Sequence, residues 1–262
     1  MEYVAVCAAA LLVAGLTFFS GFGLGTLLMP VFAVFFPVEI AIAATAIVHL
    51  ANNLFKVALA GRYARARVVL AFAVPGALAA VPGALLLGYV STLSPWAAYT
   101  IGGREFVVLP VKVVIAALIV VFATIEVLPA TRKLSFDLRW IPLGGILSGF
   151  FGGLSGHQGA LRTAFLLRLG LPKKELIGTM VVSSAVVDVT RLAIYGLTFF
   201  GKDFAVLRDG GGIGLVVAGC IAAFAGSFAG SRLLEKITLQ GLQRLIAGML
   251  FVLALALGLG LA

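Results

Sequence analysis

Midway along the apolar run from Leu176 to Phe200 the chain reads SSAVVDVTRLAIYG, from Ser183 to Gly196. Ser184, Asp188, Arg191 and Tyr195 recur at i, i+4, i+7 and i+11, which puts all four on one helical face. A charged side chain at the centre of a bilayer costs about 2.5–3.5 kcal/mol even on the mildest insertion scales. An acid and a base at that depth therefore need partners. Asp188 is too short to reach the membrane surface, and Arg191, one turn on, is its obvious counterion. Two chemistries suit such a pair. In one it ties helices together. In the other Asp188 holds Arg191 in place while the remaining guanidinium donors face a substrate, and a planar fork of N–H groups suits a carboxylate, sulfonate or phosphate oxygen pair.

A second stripe favours the binding role. Thr45, His49, Asn52 with Asn53, and Lys56 share one face of the run 38–60, so polar and cationic residues recur there. Lys56 is near enough to a basic loop to snorkel, and Arg191 has a similar alternative at the opposite interface. Two glycine-rich breaks add candidate donors: SGFGLG at Ser20–Gly25 and GGLSGHQG at Gly152–Gly159. A helix broken at membrane depth exposes backbone N–H groups at the start of its second half, and these with the helix dipole form an anion site. Backbone donors at Gly156–Ala160, including Gly159, would supply it, with Ser155, His157, Gln158 and Arg162 around the break. Gly23 and Gly25, followed by Thr26, form the barer equivalent. Small-residue packing is the competing account, since Gly21-x-x-x-Gly25 and Gly149-x-x-x-Gly153 both match it. For GFGLG both accounts stand, whereas packing alone would not ask for His, Gln and Arg in SGHQGALR. Gly226-x-x-x-Gly230 reads as packing only. His49 or His157 could carry a proton.

The elements that must position these residues are membrane helices. The chain is 62% hydrophobic and 11% charged, against about 45–50% and 25% in soluble domains. Apolar segments fall at about 3–20, 22–36, 38–60, 68–90, 110–128, 140–155, 158–170, 176–200, 213–233 and 244–262. A full crossing takes about 20 residues, so 22–36, 140–155 and 158–170 are short. This predicts an all-α polytopic membrane protein with broken or re-entrant short helices at its centre. The N-terminus lacks the positive region of a signal peptide and reads as a first helix. Net charge is +9, but the basic residues lie in short loops without an interleaved aromatic face, which argues against nucleic-acid binding. Cys7 and Cys220 read as small core residues. No metalloprotease, hydrolase or phosphate-loop motif occurs, so no enzyme activity, cofactor or metal centre is expected.

Arg62, Arg65 and Arg67 share one loop, and Arg132, Lys133 and Arg139 another. Arg168, Lys173 and Lys174 form a third cluster, and Arg232, Lys236 and Arg244 a fourth. These hold 12 of the 19 basic residues and should face the cytoplasm. The linkers 91–109 and 201–212 should face outward, as should both termini. Sliding the chain by about 135 residues, with one gap, lays Pro37 on Pro172 and Gly61 on Gly196. The same shift sets His49, Asn53 and Lys56 on Ser184, Asp188 and Arg191. Five segments per half is an odd number, so residues 1–129 and 140–262 are predicted to form two inverted-topology repeats, an architecture of secondary transporters.

The GFGLGTLLMP turn, the motif GGILSGFFGGLSGHQGALR and the two-half layout resemble the sulfite exporter TauE/SafE family over nearly the whole chain. That resemblance implies a plasma-membrane permease moving small sulfur-containing anions such as sulfite or sulfoacetate, usually outward, by a secondary mechanism. On this reading Arg191, Arg162 and Lys56 supply positive charge, and Ser155, Gln158, Asn52, Asn53 and Ser184 supply neutral donors. A small anion is then the main partner within the lipid, with a proton or sodium ion as coupling partner and a homodimer as a compatible assembly. Other readings are a carrier of another small carboxylate or inorganic anion, a divalent-metal carrier using His49, Asn53, His157 and Asp188, and a non-transporting membrane assembly factor.

Overall fold

The computed structural model describes residues 2–16, 24–127, 138–200, 212–233 and 239–261. Within them lie ten α-helices: α1 (Glu2–Leu16), α2 (Leu24–Ala33), α3 (Val38–Ala60), α4 (Ala66–Ser91), α5 (Pro110–Val127), α6 (Ile141–Ser155), α7 (Gln158–Leu166), α8 (Lys173–Tyr195), α9 (Gly212–Leu233) and α10 (Leu239–Gly258). The chain is an all-α polytopic membrane protein. Among the described residues, four helical stretches are long and apolar enough to cross a bilayer: Val38–Tyr63, Ala66–Ser91, Lys173–Thr198 and Gly212–Arg232.

Local chemistry sets where the helices begin. Pro37 and Pro172 stand just before α3 and α8 with φ/ψ of −49°/147° and −52°/144°. Proline favours that extended geometry, and it needs no N–H there. Its carbonyl then accepts the first helical bond, from Ala41 N–H at 2.8 Å and from Leu176 N–H at 2.9 Å. Both helices run 23 residues from these matched prolines. The two helices before them are short, 10 residues in α2 and 9 in α7. At 1.5 Å per residue each spans about 15 Å, half of a bilayer core roughly 30 Å thick. They are half-helices, as the short glycine-broken segments led one to expect.

Packing follows the glycines. A Cβ on Gly145, Gly149 or Gly153 of α6 would overlap the backbone of α4 at Phe72, Gly76 and Ala80. One on Gly226 or Gly230 of α9 would overlap α1 at Leu11 and Gly15. At both crossings backbone lies against backbone, which the missing side chains make possible. They are related: α1 lies on α9 as α6 lies on α4, while α3 packs on α8 and α5 on α10. Advancing each helix number by five carries this set of contacts onto itself.

One element departs from the sequence expectation. The linker 91–109 holds an antiparallel hairpin, Ala97–Ile101 paired with Arg104–Val108. Gly102 and Gly103 take φ of 60° and 80°, the left-handed pair that a two-residue hairpin turn requires. The Tyr99 hydroxyl donates to the Leu259 carbonyl, tying the hairpin to the end of α10.

Candidate anion site

The break between α6 and α7 is built from two residues. Gly156 closes α6 in the left-handed region, φ 81°, where a side chain would be strained. His157 follows with φ −84° and ψ 48°, and α7 starts at Gln158. The Gly156 N–H donates to the Gly152 carbonyl at 3.0 Å. That corrects the expected donor set: Gly156 is already engaged by α6, so free backbone donors can begin only at His157. Gly25, the second residue of α2, lies against this break. A Cβ there would sit 3.4 Å from the Gly156 oxygen and 3.5 Å from the His49 ring. The two half-helices therefore begin beside one another, at the α3 and α8 stripes. Gly23 lies outside the described residues.

Asp188 is the hub of those stripes. Its Oδ1 accepts from Gln158 Nε2 at 2.7 Å and from Arg191 Nε at 3.0 Å, with Arg191 Nη2 also 2.7 Å away. Its Oδ2 accepts from His49 Nδ1 and Asn53 Nδ2, each at 2.7 Å. A carboxylate only accepts, so His49 carries its proton on Nδ1 in this arrangement. Asn53 also donates to Ser184 Oγ at 2.9 Å. Four helices or half-helices thus meet at a single acid: α3, α7 and α8 directly, and α2 through its contact with His49. The ion pair expected from the spacing is present, but it is one part of a larger cluster. Three of the neutral groups expected as substrate donors, Gln158, Asn53 and Ser184, are turned on Asp188 or on each other.

Arg191 is fully buried, which removes the alternative that it reaches a membrane surface. Its Nη1 donates to the Gly152 carbonyl at 3.3 Å and lies 3.1 Å from where a Gly156 Cβ would be. Lys56 is buried too, so it does not snorkel. Arg162, on α7, is buried within electrostatic reach of Lys56, Asp188 and Arg191. Among the described residues the buried charged side chains are Lys56, Arg162, Arg191 and Asp188, three bases to one acid.

Other candidates sit at the rim of this cluster. Ser155 Oγ donates to the Phe151 carbonyl at 3.1 Å and accepts from His157 Nδ1 at 3.0 Å. The His157 ring stacks on Phe122, centroids 5.5 Å apart and planes 7° from parallel, and its buried Nε2 has no hydrogen-bond partner among the described residues. Gln158 Oε1 and Thr45 Oγ1 are buried without one as well. Gly159 lies half-buried in the first turn of α7. Asn52 is not part of the cluster: it faces α9, accepting from Ser227 Oγ at 2.7 Å. Sequence reasoning does not reach Ser227, nor the Gly152 and Gly153 carbonyls, which accept from Arg191 and from the Tyr195 hydroxyl. Tyr195 is visible only as the last member of its stripe. A backbone acceptor leaves no signature in residue type.

A family model, sulfite exporter TauE/SafE, matches residues 6–257. The chain belongs to this family. The match spans both half-helices and every residue of the Asp188 cluster, and it makes the protein a member of a family of membrane transporters. Comparison with curated proteins and with solved structures finds no significant match.

Proposed function

We propose that this TauE/SafE member is a secondary transporter, an exporter of a small anion in the plasma membrane, and that the anion is a sulfur oxoanion or organosulfonate such as sulfite or sulfoacetate. The observation that carries the reading is convergence of like charge. Arg162 from α7 and Arg191 from α8 are buried within reach of each other and of Asp188, and Lys56 from α3 is buried within reach of Arg162. Guanidinium groups in a low-dielectric interior attract negative charge strongly, and Asp188 is held beside them. An anion at the start of α7 would lie beside these groups and would meet the α7 backbone donors as well. The family name points to sulfite, and the planar donor fork of an arginine matches a pair of sulfonate or sulfite oxygens.

Alternating access is supported by the layout. Each half contributes five helices, the second of them short, and the helix contacts repeat when each number advances by five. We read residues 1–129 and 140–262 as inverted repeats that rock against each other around the Asp188 cluster.

The test is a thermal-shift screen of purified protein against sulfite, sulfoacetate, thiosulfate, sulfate and small carboxylates, followed by flux of the best ligand in proteoliposomes. Stabilisation and flux with a sulfur anion support the reading. Stabilisation by carboxylates alone would move it to another anion class, and no stabilisation or flux with any anion would overturn it.

A further inference from the structure

Asp188 is sealed on all sides, and its two oxygens face different chemistries. Oδ1 is held by Gln158 and Arg191, the side where an anion would compete. Oδ2 is held by Asn53 and His49. The Asp188 side chain has no exposure, whereas that of His49 keeps 11%. Among the groups bonded to Asp188, His49 alone is an imidazole, able to take a proton on one ring nitrogen while the other stays bonded, and it is the most exposed of them. A proton can therefore reach Asp188 through the His49 ring.

We propose that His49 is a proton-binding site that couples anion movement to proton movement through Asp188. The inference rests on the anion reading above and deepens it. When an anion takes the N–H groups of Arg191, Asp188 Oδ1 loses its guanidinium and the carboxylate is left buried with less counter-charge. A proton taken from water at His49 Nε2 makes the ring an imidazolium, with Nδ1–H still 2.7 Å from Asp188 Oδ2, and restores that charge. The balance is one proton bound per anion bound and one released when the anion leaves, with no other bond made or broken. Without the proton the carboxylate keeps Arg191 for itself, so each ligand favours the binding of the other.

The surroundings of His49 suit this exchange. Asp188 and Arg191 face it from α8 and Arg162 from α7, with Lys56 two turns along its own helix. α2 presents Gly25, and neither α2, α6 nor the stretch of α4 between Val68 and Gly88 carries an ionisable side chain. The remaining ionisable residues on α3, α8 and the described elements packed against them are Glu39 of α3, Arg62 and Tyr63 of the 3-10 turn Gly61–Tyr63, His157 at the start of α7, Lys173, Lys174, Glu175 and Tyr195 of α8, Arg67 and Tyr89 of α4, Cys220 and Arg232 of α9, and Lys112 and Glu126 of α5.

The test uses the full chain in proteoliposomes with the membrane potential clamped at zero, a pH dye in the lumen, and sulfoacetate as probe. Between about pH 6 and 8 both acid groups of sulfoacetate stay ionised, so any proton that moves is carried by the protein. Wild type should move protons with sulfoacetate and, at one proton per anion, concentrate it about tenfold per pH unit of gradient. His49→Gln should remove the dependence of net flux on the pH gradient, whatever it does to sulfoacetate exchange. Exchange in wild type without movement of the dye would overturn the coupling while leaving the anion reading intact, as would a His49→Gln protein that still follows the gradient. A wild type that neither binds nor exchanges sulfoacetate, sulfite or thiosulfate would remove the anion reading, and this inference with it.

Discussion

Asp188 accepts from Gln158, Arg191, His49 and Asn53, so in the proposed site it organises donors and leaves the anion to them. This sharpens what removal of Arg191 should do. Arg191→Gln takes away the cation while Asp188 keeps three donors, so the protein should still fold, at a lower melting temperature. Anion binding should fall at least tenfold, because a hydrogen bond to a charged group contributes about 1.5–3 kcal/mol. Arg191→Gln/Asp188→Asn removes both charges, and with them the penalty of a half-broken buried pair, about 3–5 kcal/mol. Melting temperature should then recover while vesicle transport does not. Recovery of both would make the pair purely structural and rule out anion binding by Arg191. The residues of this cluster were legible because charge at membrane depth is conspicuous, and because the second stripe repeats the first. Their connections were not legible. Helical spacing puts Asn52 and Asn53 on neighbouring positions, but only the packing of α9 decides that Asn52 turns to Ser227 while Asn53 turns to Asp188.

At the scale of elements, the site depends on how closely α6 lies against α4, since α6 carries the break that starts α7. Gly149 is at the tightest point, where a Cβ would overlap the Gly76 backbone. Backbone cannot swing away as a long side chain can. Gly149→Ala should therefore push α6 off α4 and destabilise the protein by about 1–3 kcal/mol, the usual cost of overpacking. Gly248→Ala, on α10 with nothing among the described residues within 4 Å of the new methyl, should be neutral or gain about 0.5–1 kcal/mol from helix propensity. Comparing the two melting temperatures separates a packing effect from a general intolerance of change; equal shifts would contradict the close crossing. Most elements could be read from the sequence because apolar run length and proline position dictate them, and Pro37 and Pro172 mark their helix starts to the residue. The hairpin at 97–108 does carry a sequence signal, Gly102-Gly103 between Ala97–Ile101 and Arg104–Val108. Attention to hydropathy alone passes over a short polar turn with β-rich flanks. The π-helical turn Gly196–Phe200 that extends α8 has no comparable signal, since it differs from an α-turn only in which carbonyl each N–H selects.

For the whole molecule, the proposed inverted arrangement makes a claim about sides of the membrane that helix packing alone does not make. Between Ala66 and Gly210 the chain passes through α4, α5, the α6–α7 pair and α8. The pair contributes an even number of crossings, zero if it dips and returns or two if it spans, so the total is odd in both cases. The two positions must then lie on opposite sides. Ala66 is exposed beside Arg65 and Arg67, in a basic cluster that should be cytoplasmic. Gly210 falls in the linker expected outside. With Cys7 and Cys220 replaced by serine, single cysteines at Ala66 and Gly210 should react with a membrane-impermeant maleimide from opposite faces of sealed vesicles, Gly210 from the outer face of the cell membrane. Reversal of both sides would leave the repeats inverted but turn the protein over, so that the four basic clusters faced outward against the usual bias. Labelling from one side only would be more damaging: the two halves would then have the same topology, α3 and α8 would not be exchanged by an axis in the membrane plane, and rocking one repeat against the other could not open the Asp188 cluster to each side in turn.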